Sequence, residues 1–390
     1  MDLRRVFHWL PCATLLLAPA VARAQGSGRS LDLDPSVRSS GMGGASNAVF
    51  WDETNPWSNP ALLGEARGVA YEFGRTQLVP GLAPDVHFTT NVVKLGGGGL
   101  GVALSGKPVD IGGLRLNYGE SVETDQAGNP IGTFESYEQI DSWGFGVSAA
   151  RVTETIATLF GHDPSAISRY GDVSFGMNGK HLKMSLGPNS SAQASTDARD
   201  WGLLVRVSPS ELSPSTRDVL GVDLAYGWSD LSYASDPLVF FNPNNPDYVS
   251  EHHRSGFAGR LRLDAPRFEE NMAGPEWLWT GMHPLLSMGL ARDHAKIGVP
   301  GSEYETDANG FEVTLANVIT FRHGHYEDLT GEIDDSTEGW GVGLPIGTIA
   351  GVRYDHATFP QARNSGLPDI RRNSVSAWID ALRVWRSVRG

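Results

Sequence analysis

One cysteine occurs in the 390 residues, and that one, Cys12, sits in a leading segment expected to be cut away. With Cys12 gone, neither a disulfide nor a thiolate nucleophile can operate. A large exported domain without disulfides must be held by another route. A closed hydrogen-bonded barrel is one such route, because it leaves no unpaired strand edge. Apolar runs are also scarce. Beyond the first 24 residues no stretch approaches the ~18 consecutive apolar residues of a membrane helix. That excludes helical spans but not strands, which present only every second side chain to lipid. Positive charge is in deficit as well: 31 Lys and Arg stand against 45 Asp and Glu, a formal balance of −14. This acidity argues against nucleic acid as a partner.

What is present begins with an export signal. Arg4 and Arg5 form a short basic start, Val6 to Val21 is largely apolar, and Ala22-Arg23-Ala24 is a small-x-small cleavage site before Gln25. Residues 1–24 are therefore expected to be a Sec-type signal peptide, removed near Ala24–Gln25. Arg4-Arg5-Val6-Phe7 shares two arginines with a twin-arginine signal but lacks the rest of that motif. Trp9-Leu10-Pro11 precedes Cys12 where a lipoprotein start would carry small residues.

The strongest positive signal is period-two alternation. Leu220, Val222, Leu224, Tyr226 and Trp228 alternate with Gly221, Asp223, Ala225, Gly227 and Ser229, and Trp143, Phe145 and Val147 alternate with Ser142, Gly144, Gly146 and Ser148. Successive side chains of a strand point to opposite faces, so each segment has one apolar face and one small or polar face. Thirteen such segments can be read: around 69–74, 86–92, 100–104, 142–149, 173–180, 200–208, 220–229, 256–263, 285–292, 310–322, 339–344, 349–355 and 373–385. Single-chain bacterial barrels use even numbers. A fourteenth strand is therefore expected around Leu114–Tyr118 or Gly132–Tyr137.

Polar excursions at Lys107–Tyr137, Gly187–Arg199, Ser232–His252, Asp264–Pro284 and Tyr326–Glu338 read as long outer loops alternating with short inner turns. Thr153–Phe160 has helical spacing, and Phe268–Met272 could form a single turn. A soluble sandwich or propeller would also alternate, but it needs a second apolar layer. Here the less apolar face is Gly, Ala, Ser, Asp, Arg and Lys, with Glu72, His87, Asn91, Asp223 and Arg260 expected to face the lumen, and no repeat of ~40 residues marks blades. Trp228, Trp277, Trp279, Trp340, Tyr233, Tyr248 and Tyr354 fall near strand ends, where aromatic residues sit at a membrane interface.

Ahead of the strands the chain changes character. Gly41-Met42-Gly43-Gly44-Ala45 is followed by Trp51 and an acidic pair, Asp52 and Glu53, then by Asn59-Pro60-Ala61. This stretch resembles the start of mature FadL-like transporters of hydrophobic compounds and of the related PorV and PorQ proteins of type IX secretion. The resemblance covers about 25 residues closely and the rest only through alternation and length. It implies a barrel of ~14 strands whose N-terminal segment folds inward, making Ser39–Leu63 a plug or hatch. A cap across the periplasmic end is the alternative placement. The chain departs from the usual barrel pattern in ending Trp385-Arg-Ser-Val-Arg-Gly390, without a terminal aromatic residue.

Other motifs carry little chemistry. Gly96, Gly98 and Gly101 fit G-x-G-x-x-G but lead into a strand, whereas dinucleotide binding needs a helix. His323-Gly324-His325 and His252-His253 lack further metal ligands in sequence. Glu327, Asp328, Glu332, Asp334, Asp335 and Glu338 lack the order of a calcium loop. Ser287 and His294 are seven residues apart on one strand and so face opposite sides, and no G-x-S-x-G surrounds a serine.

The reading is an all-β chain: an antiparallel transmembrane β-barrel of about fourteen strands with an N-terminal plug or capping segment. Residues 1–24 are the signal, 25–67 the lead-in and plug (Gly41, Met42, Gly43, Gly44, Asn59, Pro60 and Ala61), and 68–390 the barrel. The expected site is a Gram-negative outer membrane. The expected partners are its lipid, the barrel assembly machinery, and either hydrophobic small molecules or secreted cargo proteins. Passive transport is the leading function, with a type IX shuttle role or a structural barrel as alternatives. No enzyme activity, cofactor, metal or nucleic acid is expected.

Overall fold

The structure is a computed structural model that describes residues 27–51, 55–162, 167–212, 219–242, 244–265, 280–299, 301–330, 332–363 and 365–380. The signal segment, the acidic pair Asp52 and Glu53, the Phe268–Met272 turn, Trp277, Trp279 and the C-terminal ten residues lie outside them. Among the described residues no helix is long and apolar enough to cross a membrane.

Fifteen strands make the wall: β1 (Gly68–Gln77), β2 (Val86–Gly97), β3 (Leu100–Ser105), β4 (Leu114–Thr124), β5 (Pro130–Ser148), β6 (Gly171–Ser185), β7 (Gln193–Val207), β8 (Leu220–Ala234), β9 (Glu251–Leu263), β10 (Leu286–Gly298), β11 (Tyr304–Leu315), β12 (Ile319–Asp328), β13 (Asp334–Ile346), β14 (Ala350–Phe359) and β15 (Ile370–Ile379). Each pairs antiparallel with its neighbours, and β1 pairs with both β2 and β15, so the sheet closes on itself. Closure pairs the first strand with the last and so leaves no free edge strand, the requirement for strands in lipid. Short β3 and β4 both lie between β2 and β5 and run in the same direction, so together they fill one place. The barrel thus has fourteen strand positions. The interruption between them, residues 106–113, lies on the outer side, with the Lys107 backbone N–H donating to Asp141 Oδ1 at 3.3 Å.

The expected count of fourteen holds, but for a different reason. Leu114–Tyr118 continues the place of β3, and Gly132–Tyr137 is the first part of β5. The missing strand is instead inside the segment read as 310–322, which is two strands, β11 and β12. Ala316 (φ 49°) and Asn317 (φ 54°) turn the chain between them. Both central residues of a tight hairpin turn need positive φ. No glycine marks this one, and the alternation of Val313, Leu315, Ile319 and Phe321 runs through it in phase.

Two rims follow from the strand order. Connections after β1, β4, β6, β8, β10, β12 and β14 lie at the far rim and, apart from the β3–β4 interruption, the others lie at the near rim, where β1 begins. The excursions differ from expectation in the same way. Lys107–Tyr137 is mostly wall, and half of Gly187–Arg199 is β7. Asp264–Pro284 joins β9 to β10 at the near rim, opposite the other four. A helix, α3 (Ala149–Leu159), contains the expected helical stretch from Thr153 up to Leu159, with Phe160 as its C-cap and Ser148 Oγ accepting from the Arg151 backbone N–H at its N-terminus. Gly98 and Gly99, both at positive φ, make the β2–β3 turn that G-x-G-x-x-G had contained.

The outer face is apolar towards the near rim: Val69, Tyr71 and Phe73, Trp143 and Phe145, Leu224, Tyr226 and Trp228, and Trp340, Val342 and Leu344 are all exposed there. In water such a continuous surface is unfavourable, so this is the face of a barrel set in lipid. Towards the far rim the outward positions turn polar, with cross-strand pairs His181–Asp197 (2.8 Å), His253–Asp230 (2.7 Å) and His294–Asp307 (2.8 Å). On β2 the expected phase is inverted. Phe88 and Val92 point inward into a buried cluster with Leu31, Leu238 and Phe240, while Asn91 is outward and accepts from Tyr71 Oη. His87 likewise occupies an outward position. Glu72 and Asp223 are buried in the lumen as expected, and Arg260 also faces it.

Candidate functional site: a filled lumen with two cavities

The lumen is occupied by the chain's own leading segment. Ser27 bridges Val249 in the far-rim loop, and its N–H donates to Tyr248 O at 2.8 Å. From there the chain passes through two short helices, α1 (Arg29–Asp32) and α2 (Val37–Gly41), and a 3-10 turn at Pro60–Glu65 before entering β1 at the near rim. The described residues of this segment, 27–51 and 55–65, pack against inward-facing wall positions.

Both expected motifs are inside. Met42 is fully buried. Gly43 (φ 71°) and Gly44 (φ 89°) bend the chain in a conformation that only glycine adopts without strain. The Gly43 N–H donates to Thr337 Oγ1 at 2.9 Å, and Gly44 O accepts from Arg254 at 3.0 Å. Gly41 packs on Arg322 and Gly339. Asn59 caps the 3-10 turn, its Oδ1 accepting from the Ala61 N–H at 3.0 Å. Its Nδ2 donates to Asn47 O and to Leu203 O of the wall. Pro60 and Ala61 are buried beside Gly176 and Gly202.

The wall meets this segment with glycines. A Cβ placed on Gly96, Gly101, Gly146, Gly176, Gly202, Gly227, Gly310 or Gly324 would stand within 3 Å of Ala66, Leu63, Gly64, Pro60, Asn59, Asn47, Met42 or Gly43, respectively, mostly at main-chain atoms. The small residues alternating with apolar ones along the strands are therefore the inner surface on which the plug's backbone rests. The sequence shows these glycines, but nothing in it tells this use from general lumen lining.

Charges fix the plug laterally. Arg38 of α2 donates to both oxygens of Glu312, through Nε to Oε2 at 2.7 Å. Arg322 Nε donates to the same Oε2 at 2.7 Å, and its Nη1 to Asp355 Oδ1 at 2.8 Å. Arg353 Nε reaches Asp355 Oδ2 at 2.8 Å. Above them Arg372 donates to Ser40 Oγ at 2.8 Å and to Asp34 O. A second anchor is Asp293, which accepts from the Ser46 and Asn47 N–H groups, each at 2.8 Å, and from Arg254 at 3.1 Å. Pairs this enclosed add little net stability, yet losing one partner strands a buried charge, so they position α2 sharply. The sequence reading missed Arg38, Glu312, Arg322 and Asp355. For Glu312, Arg322 and Asp355 the signal was charge at inward positions of lipid-spanning strands, and Arg38 on α2 had none.

Helix α2 and this network divide the lumen. On the far side is a cavity of about 770 Å³, lined by Leu33, Ile297, Tyr304, Tyr326 and Phe359 and by more carboxylates, including Asp32, Asp328 and Glu332, than guanidiniums. On the near side is one of about 410 Å³, lined by Arg38, Trp51, Lys94, Arg260, Arg353 and Trp378.

The other sequence candidates are dispersed. His252 faces inward to Asp32 (2.9 Å), His253 outward to Asp230. His323 stacks on Phe311 outside, while His325 pairs with Asp334 at 3.1 Å. Asp328 organises its own turn, accepting from the Glu332 and Ile333 N–H groups. Ser287 accepts from Arg260 in the lumen, whereas His294 is outside. Among the described residues no group of three or more metal-ligating side chains comes together.

Fold and lumen define a class, the transmembrane barrel filled by its own N-terminal segment. No family model matches the chain and no curated protein matches it in sequence. Among solved structures it is similar to the Ralstonia pickettii toluene transporter TbuX (11% identity, TM-score 0.43, 89% of this chain and 98% of that one). It is also similar to the CymD monoaromatic hydrocarbon channel (9%, 0.43, 88% and 95%) and to a Pseudomonas aeruginosa FadL homologue (8%, 0.39, 92% and 100%).

Proposed function

We propose that the protein is an outer-membrane channel that passes hydrophobic small molecules by diffusion, with residues 25–67 acting as a movable hatch. The observation that carries this reading is the pair of cavities separated by α2 and its charge network. The far cavity offers apolar and aromatic walls near one rim, and the near cavity lies beside the other. Passage needs only that the partition between them shift. Gly41, Met42, Gly43 and Gly44 sit at that partition, and Asn59, Pro60 and Ala61 anchor the other half of the segment to the wall. No energy source is required for diffusion down a gradient.

Uptake of a labelled hydrophobic solute by proteoliposomes is the test. Uptake should exceed that of empty liposomes and should rise when the Arg38–Glu312 contact is removed. Equal uptake with and without protein would sink the proposal.

A further inference from the structure

Among the described residues the near cavity is lined by more cations than carboxylates. Arg38, Arg67, Lys94, Arg260 and Arg353 line it, and Asp380 is the one carboxylate among them. Arg38 and Lys94 have carboxylate partners in Glu312 and Glu72. Arg260 differs. Its Nε donates to Ser287 Oγ at 2.8 Å and its guanidinium carbon stands 5.9 Å from the centre of the Trp51 ring, but among the described residues no carboxylate pairs with it. Arg353 spends Nε on Asp355, its other nitrogens donate to no carboxylate among the described residues, and the side chain lines the same cavity.

Two guanidiniums with unused donors therefore face one cavity. A cation drawn out of bulk water without an acceptor loses hydration that a bound anion restores. The planar guanidinium fork matches carboxylate and phosphate oxygens in spacing and direction. On the other side of the partition the far cavity is rich in carboxylates, so an anion is favoured at the near side and disfavoured at the far one.

We propose that the near cavity is a binding site for an oxyanion, a carboxylate or phosphate group held by Arg260 and Arg353. The site does not depend on the transport reading. Free phosphate and an amphiphile's carboxylate share this chemistry, and the experiment separates them.

The test is titration calorimetry on the full chain in detergent micelles with inorganic phosphate, octanoate and octanol. Saturable binding of octanoate or phosphate is expected, weakened at least about tenfold by Arg260→Gln and by Arg353→Gln, as for loss of a charge-assisted hydrogen bond. Arg260→Lys should keep part of it, and Arg292→Gln on the outer wall all of it. Heat-modifiable gel migration of each variant reports folding. Binding of both anions, or of phosphate alone, assigns a free oxyanion site, and octanoate alone assigns an oxyanion on an apolar tail. The proposal is overturned if neither anion binds saturably, or if octanol binds as tightly as octanoate and neither Gln variant changes the affinity. Absent uptake of neutral solutes with anion binding intact would remove the transport reading and leave this site standing.

Discussion

If the wall glycines are the surface on which the plug rests, adding one methyl to one of them should loosen the plug and leave the barrel intact. Gly324 on β12 is the sharpest case. A Cβ there would lie 2.8 Å from Gly43 Cα and closer still to Gly43 N and Met42 C, against an ordinary carbon contact of about 3.5–4.0 Å. Those atoms are main chain, so no rotamer change relieves the clash, and the plug must move by roughly 1 Å. Overpacking of this kind costs about 1–3 kcal/mol. Replacing a strand glycine with alanine otherwise gains about 0.5–1 kcal/mol. The outward-facing Gly259, whose added Cβ would meet Leu224 at 3.4 Å, supplies that opposite-sign control. With the clash at the upper end of its range, Gly324→Ala should destabilise plug docking by about 2 kcal/mol, raising the undocked population about 30-fold. Loss of Cys12 with the signal would leave the chain without thiols, so Ser39→Cys provides a unique label at a buried plug position. Its Oγ has no hydrogen-bond partner to lose. Labelling should be slow in Ser39→Cys alone, about 30-fold faster with Gly324→Ala and no faster with Gly259→Ala, provided opening is fast relative to modification. Equal rates in the two glycine variants would refute the reasoning.

Three further outcomes follow from the same geometry. Glu312→Gln removes the shared acceptor of Arg38 and Arg322 and should cost about 3–5 kcal/mol of plug docking, measured by the same thiol and by faster solute uptake. Ala316→Gly relieves a left-handed residue in the β11–β12 turn and should raise the unfolding midpoint, with a gain of about 1 kcal/mol, and an unchanged or lower midpoint would contradict that turn. Asp125 at the tip of the β4–β5 turn accepts from the Asn129 side chain and from the Asn129 and Ala127 N–H groups, which holds its carboxyl below the usual carboxylate range. Its contribution to turn order is complete above the ordinary carboxylate pKa and is lost as pH falls through the lowered one. Amide exchange at Asn129 should therefore accelerate only in strong acid.

Much of the architecture was legible because lipid imposes alternation and alternation survives in the residue order. Trp143, Phe145 and Val147, or Leu224, Tyr226 and Trp228, could be assigned to the outer face without knowing their neighbours. Where the environment changes along a strand the inference failed. Phe88 and Val92 point inward because the far half of the lumen is packed with Leu31, Leu238 and Phe240, and that packing is contributed by segments distant in sequence. The β11–β12 turn escaped because Ala316 and Asn317 carry a conformation usually announced by glycine. The Gly-Met-Gly-Gly and Asn-Pro-Ala motifs singled out a segment that lies against the inner wall, but its partners there, Glu312, Asp293 and Thr337, lie hundreds of residues away. An ion pair between Arg38 and Glu312 has no local signature.

The course of the leading segment also constrains how the molecule is made. Ser27 is bound at one rim, β1 starts at the other, and β1 is zipped to β15, the last described strand. A chain lying along the axis of a sealed cylinder is enclosed simply if the cylinder is wrapped around it. The alternative is to draw the free end through a lumen whose wall glycines leave only main-chain clearance. Strands β2 to β14 can therefore associate as an open sheet with the segment laid across their inner face, and the β1–β15 seam joins last. The plug would then be the mandrel on which the barrel is rolled, present before there is any pore to close.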